Sequence, residues 1–136
     1  MLSRLKFFLR RIGLPIRDVR VPIRLQFQTT ECGVGALAML LAHYGRFVTM
    51  EELRAATGVS RDCVSASQII KAARHYGLEC KAYTLEPQFL GGVKPPFIVH
   101  VRFIHFMLVE GITPTEVLLA DPHAGRIRTP REIFHE

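Results

Sequence analysis

Gln26-Phe27-Gln28-Thr29-Thr30-Glu31-Cys32-Gly33 runs straight into Val34-Gly35-Ala36-Leu37-Ala38-Met39-Leu40-Leu41-Ala42-His43-Tyr44-Gly45. The second half reads as a helix. Leu37, Leu40, Leu41 and Tyr44 recur at helical spacing and predict one strongly apolar face, and Gly45 supplies a stop. Cys32 then stands at the mouth of that helix. Helix N-termini leave backbone N–H groups unpaired and carry partial positive charge, a setting that favours a thiolate, the reactive form of cysteine. Gln26, six residues earlier, is an amide that can fold back beside the Cys32 backbone N–H to make an oxyanion hole. The plainer alternative is a cysteine that packs as a small apolar residue.

Working outward, the chain of 136 residues has the length of one domain, with 49% apolar residues and no run approaching a membrane span. Three cysteines, at 32, 63 and 80, form no CxxC pair and cannot pair evenly, which favours a reducing compartment. The net charge of +6 is local. Residues 1–24 hold seven basic side chains and one acid, Asp18, whereas the other 112 residues carry 11 of each sign. Leu2, Leu5, Phe8, Leu9 and Ile12 fall at helical spacing among these charges. Residues 1–20 are therefore expected to be a basic amphipathic arm, able to lie on an anionic membrane or pack on its own domain. Residues 21–136 form the domain proper.

Val19 to Leu25 is β-prone but contains Pro22, which predicts an extended lead-in or edge. Thr49-x-x-Glu52 reads as a capping box opening a short helix through Ala56, closed by Gly58. Ser65-x-x-Gln68 repeats the device for a third helix, which stops at Gly77. The second half changes character. Leu78 to Leu85 reads as a strand and Pro87 to Pro96 as a loop. Phe97 to Val101, Phe103 to Glu110 and Glu116 to Ala120 read as strands. Asp121 to Gly125 is a turn, and Thr129-Pro130 caps a final helix with proline at its first position. Helices first and an antiparallel sheet second make an α+β fold. A helix opening so near residue 136 predicts that a longer chain continues beyond it.

No HExxH or paired-cysteine spacing argues for a metal site. A nucleophilic Cys32 needs an imidazole to take its proton and a carboxylate to orient that imidazole. His105 lies inside an apolar strand and Asp121 ends the next one, so neighbouring strands would bring them together. His100 is the rival imidazole; His123, in a turn, is expected to be solvated. A different class is also open: residues 52–65 can be read as a helix-turn-helix that, with the basic arm, would bind DNA. The electrical neutrality of the domain outside the arm argues against it.

Several stretches together resemble the papain-like peptidase domain at the N-terminus of bacterial peptidase-containing ABC transporters. They are Gln26 with Glu31-Cys32-Gly33, Leu37-Ala38-Met39, Tyr44-Gly45, Glu51-Glu52-Leu53-Arg54, residues 58–62, Ala72 to Leu78, Pro96-Phe97-Ile98-Val99, His105-Phe106 and Ala120-Asp121-Pro122. The resemblance implies Cys32 as nucleophile, His105 as general base and then acid, Asp121 as orienting carboxylate and Gln26 as oxyanion donor. It implies precursor peptides cut after a double-glycine-type leader end, with the rest of the leader read as an amphipathic helix. It further implies membrane and nucleotide-binding domains as partners and a place on the cytoplasmic side of the membrane. No cofactor is implied for the peptidase domain, with ATP and Mg confined to a full-length transporter, and no nucleic acid. A catalytically idle leader-binding module is the alternative, against which stand the intact Cys32, His105 and Asp121.

Overall fold

The computed structural model describes residues 19–23, 32–58, 64–101 and 105–134. Three helices come first: α1 (Cys32–His43), α2 (Met50–Thr57) and α3 (Ala66–His75). α1 is buried along nearly its whole length, with Val34, Leu37, Met39 and Leu41 all closed from solvent. It packs on α2, α3 and the sheet at once, so apolar residues are needed all round it rather than on a stripe. The expected single face is corrected accordingly. Leu40 is only half-buried and Tyr44 is 58% exposed, because the helix ends before it.

The caps of α2 and α3 lie where the sequence puts them, but only that of α3 is a complete box. Thr49 Oγ1 accepts from the Glu52 N–H at 3.1 Å, and Gly58, in the left-handed region at φ 66°, returns its N–H to the Arg54 carbonyl. Ser65 and Gln68 form the full reciprocal box: Ser65 N–H donates to Gln68 Oε1 at 2.8 Å and Gln68 N–H to Ser65 Oγ at 3.2 Å. The strand expected over Leu78 to Leu85 does not form. That stretch is mostly exposed, and its bonds run back to α3: Arg74 Nη2 donates to the Cys80 carbonyl at 2.9 Å and the Cys80 thiol faces the Ile70 carbonyl. β-prone residues with no strand alongside stay irregular. Within the expected loop of Pro87 to Pro96, Pro87–Gly92 winds into a short 3₁₀ segment.

The second half is a four-stranded antiparallel meander, β1 (Phe97–Val101), β2 (His105–Ile112), β3 (Glu116–Asp121) and β4 (Gly125–Pro130), in spatial order β1-β2-β3-β4. β4 was not expected. Its residues alternate half-buried and exposed with arginines outward, the pattern of an edge strand, and Thr129 pairs with Val117 instead of capping a helix. Pro130 closes this edge strand, and the short α4 (Arg131–Phe134) begins after it. β2 is buried on both faces, so Phe106 and Leu108 join the core under α1 while Met107 and Val109 join a second core with Ile112, Val117 and Leu119. Ahead of α1, residues 19–23 have no regular structure and hang on the sheet through Glu110 and Arg126. Among the described residues no helix is long and apolar enough to cross a membrane.

Candidate active site

Cys32 is the first residue of α1, at the helix mouth expected from the sequence. The residue after it governs how that mouth docks. A Cβ on Gly33 would lie 2.2 Å from Val64 Cγ1, 3.0 Å from Ile69 Cδ1 and 3.2 Å from Phe106 Cδ2. Only glycine lets α3 and β2 close on the start of α1 this tightly. Cys32 and His105 are the residues that immediately precede the two partners of the Gly33–Phe106 contact. The helix mouth is thereby held against the end of β2 where His105 sits. Cys32 itself is a free cysteine, 2% exposed and packed in the core under α1.

His105 Nε2 lies 2.9 Å from Asp121 Oδ1. The pairing follows from register. Leu108 is opposite Ala120, so one step on Asp121 falls beside Met107, and His105 is its diagonal neighbour on the same face. The His105 side chain is 28% exposed and that of Asp121 11%. Nε2 is thus the ring nitrogen that engages the carboxylate, and Nδ1 is the other one. The same Oδ1 accepts the His123 backbone N–H at 2.7 Å, which locks the carboxylate across the turn. His123 is exposed as expected, but the contribution of its N–H was missed; the Asp-Pro-His turn was the available signal. His100 is not the partner of Asp121. Its ring stacks on Phe106 at 3.9 Å between centroids, on the neighbouring strand β1. Gln26 and Glu31 lie outside the described residues, as does nearly all of the expected arm at residues 1–20.

A second cluster went unread in the sequence. Glu110, an acid in an apolar strand, has a side chain 5% exposed and meets Arg126 Nε at 3.2 Å. A charge buried so deeply requires a partner, and that requirement was the legible clue.

A helix bearing a cysteine at its mouth, docked on an antiparallel sheet that carries a histidine–aspartate pair, defines the chain as papain-like in architecture. The fold is shared with solved peptidase domains. A double glycine motif protease from an AMS/PCAT transporter, solved in complex with the leader peptide, superposes with a TM-score of 0.84 at 39% identity, covering 87% of this chain and 85% of that one. The peptidase domain of Streptococcus ComA, a bi-functional ABC transporter involved in a quorum sensing pathway, matches with a TM-score of 0.78 at 24% identity over 85% and 90% of the two chains. The chain belongs to the Peptidase C39 family, cysteine peptidases whose pattern it matches over residues 20–136. Among full-length relatives, the probable microcin-H47 secretion/processing ATP-binding protein MchF of Escherichia coli is 34% identical over 113 residues, 83% of this chain. That match spans only 16% of the relative's own length.

Proposed function

We propose that this chain is a cysteine endopeptidase that removes the leader from bacteriocin-type precursor peptides after a double-glycine-type end. The observation that carries the reading is the His105–Asp121 pair, 2.9 Å apart, at the beginning of a strand packed against the helix that Cys32 opens. In the first step His105 Nδ1 takes the thiol proton and Cys32 Sγ attacks the scissile carbonyl. Alternation sends Phe106 toward α1, so Nδ1 and Sγ have to converge past the end of β2 rather than across the sheet. The negative charge that develops on the carbonyl oxygen is met by the Cys32 backbone N–H and the Gln26 amide. The His105 proton then passes to the leaving amine as the C–N bond breaks, leaving a thioester on Cys32. Water, deprotonated by His105, opens that thioester and frees the leader with its new carboxylate. Asp121 holds the ring in the productive tautomer throughout. These steps draw on the chain's own groups and water, and on no cofactor.

Cys32 is 2% exposed, and two small residues beside the cut would let a substrate approach so enclosed a thiol. An amphipathic helical leader supplies the remaining recognition, and an ABC exporter on the cytoplasmic side of the membrane receives the product. Incubation with a double-glycine precursor peptide tests the reading: cleavage is expected from the native chain and absent from Cys32→Ala, and retained cleavage by the variant would reject the assignment.

The burial of Cys32 also favours a second reading, an idle module that binds the leader without cutting it. Alkylation separates the two. Modification of Cys32 by iodoacetamide with matching loss of cleavage supports the peptidase; leader binding with an unreactive Cys32 and no cleavage supports the module.

A further inference from the structure

The β2–β3 ladder sets the backbone of Asp121 at the end of β3, beside the start of β2. A ladder leaves the side chain a choice of staggered rotamers, and not all of them bring the carboxylate to His105. The turn that follows supplies a second hold. Asp121 Oδ1 accepts the His123 backbone N–H at 2.7 Å, and the same oxygen lies 2.9 Å from His105 Nε2. One carboxylate oxygen can accept from both. The N–H belongs to the backbone, whereas the imidazole rotates about its own side-chain bonds. A carboxylate held by the turn therefore sets where the ring can rest.

Two residues shape that turn. Pro122 is closed from solvent, and its ring presets φ at the first turn position. Gly125 opens β4, pairs with Asp121 across the hairpin and has φ 84°, in the left-handed region. Residues with a Cβ rarely adopt that conformation, β-branched ones least of all. Space is not what calls for glycine: among the described residues, a Cβ added there would meet nothing within 4 Å. The requirement is one of backbone direction. We propose that Gly125 is a positioning residue for the peptidase reaction: its left-handed backbone closes the turn so that the His123 N–H holds the Asp121 carboxylate against the His105 ring. This rests on the peptidase reading above with Asp121 as orienting carboxylate.

The test is a mutant cycle on the full chain, measuring kcat and KM for a double-glycine precursor peptide, with thermal unfolding followed in parallel. Gly125→Val puts a β-branched residue at the left-handed position; Gly125→Asn adds a side chain that tolerates it. Misplacing a reacting group by about 1 Å costs up to roughly 100-fold, so Gly125→Val is expected to lower kcat about tenfold with KM nearly unchanged. Gly125→Asn is expected to recover most of that loss. Gly125→Ala, less strained than the valine change, carries the cycle should Gly125→Val not fold. In an Asp121→Ala background, read by long incubation, neither Gly125→Val nor Gly125→Ala should reduce kcat further, because no carboxylate is left to aim. Equal fold-losses in the two backgrounds, an unchanged kcat for folded Gly125→Val, or equal losses from Gly125→Asn and Gly125→Val would overturn the proposal while leaving the peptidase intact. Absence of cleavage by the native chain would instead remove the peptidase reading on which it stands.

Discussion

The imidazole of His105 and the carboxylate of Asp121 are 16 residues apart in the chain and 2.9 Å apart in space, joined across β2 and β3. The bond exists because a single turn returns the chain as a neighbouring antiparallel strand in fixed register. It also separates two otherwise similar histidines, since His100 stacks on Phe106 instead.

Replacing His105 by alanine is therefore expected to reduce kcat by about 100- to 10,000-fold, the usual contribution of a general base. His100→Ala should retain most of the turnover. Asp121→Ala should fall between the two, because water can partly replace an orienting carboxylate. Steady-state peptide cleavage decides, and equal losses from His100→Ala and His105→Ala would contradict the assignment.

Gly33→Ala should destabilise the fold. The added methyl would sit 2.2 Å from Val64 Cγ1, and a short branched side chain in a packed core has little room to move aside. Overpacking of this kind costs about 1–3 kcal/mol, measurable by urea unfolding. A variant as stable as the native chain would mean that α3 is free to retreat.

Ser65→Ala removes one half of the reciprocal box at the start of α3. The expected loss is about 1 kcal/mol, with little change in cleavage, because α3 bears none of the reacting groups. Far-UV circular dichroism during thermal unfolding, run beside the peptide assay, measures both.

The basic arm carries its own expectation. Seven positive side chains among residues 1–24 should bind vesicles containing anionic lipid, in a manner weakened by salt. Co-sedimentation of the full chain, and its loss when residues 1–20 are deleted, is the measurement. Equal sedimentation with and without the arm would make it a passive extension.

Helices were legible because their signals are local. Thr49, Ser65, Gly58 and Gly77 mark ends within a few residues of the bonds they make. β2 and β3 were legible from their apolar and β-branched composition. β4 was not, because Arg126 and Arg128 dilute its pattern on an edge, and the stretch after Leu78 misled because β-propensity cannot say whether a partner strand exists. At the candidate site, the meeting of His105 with Asp121 could be anticipated from residue type and strand order. The Glu110 cluster could not, since its partners Val21 and Arg126 are brought to it only by the finished fold, Val21 from 89 residues away.

The meander has a temporal consequence. Each strand pairs with the one just made, across turns of a few residues, so the sheet can zip up with small loop-closure losses. The helix that begins at Cys32 joins this sheet only through contacts distant in sequence, above all with β2, so the larger loop-closure cost falls on bringing the two halves together.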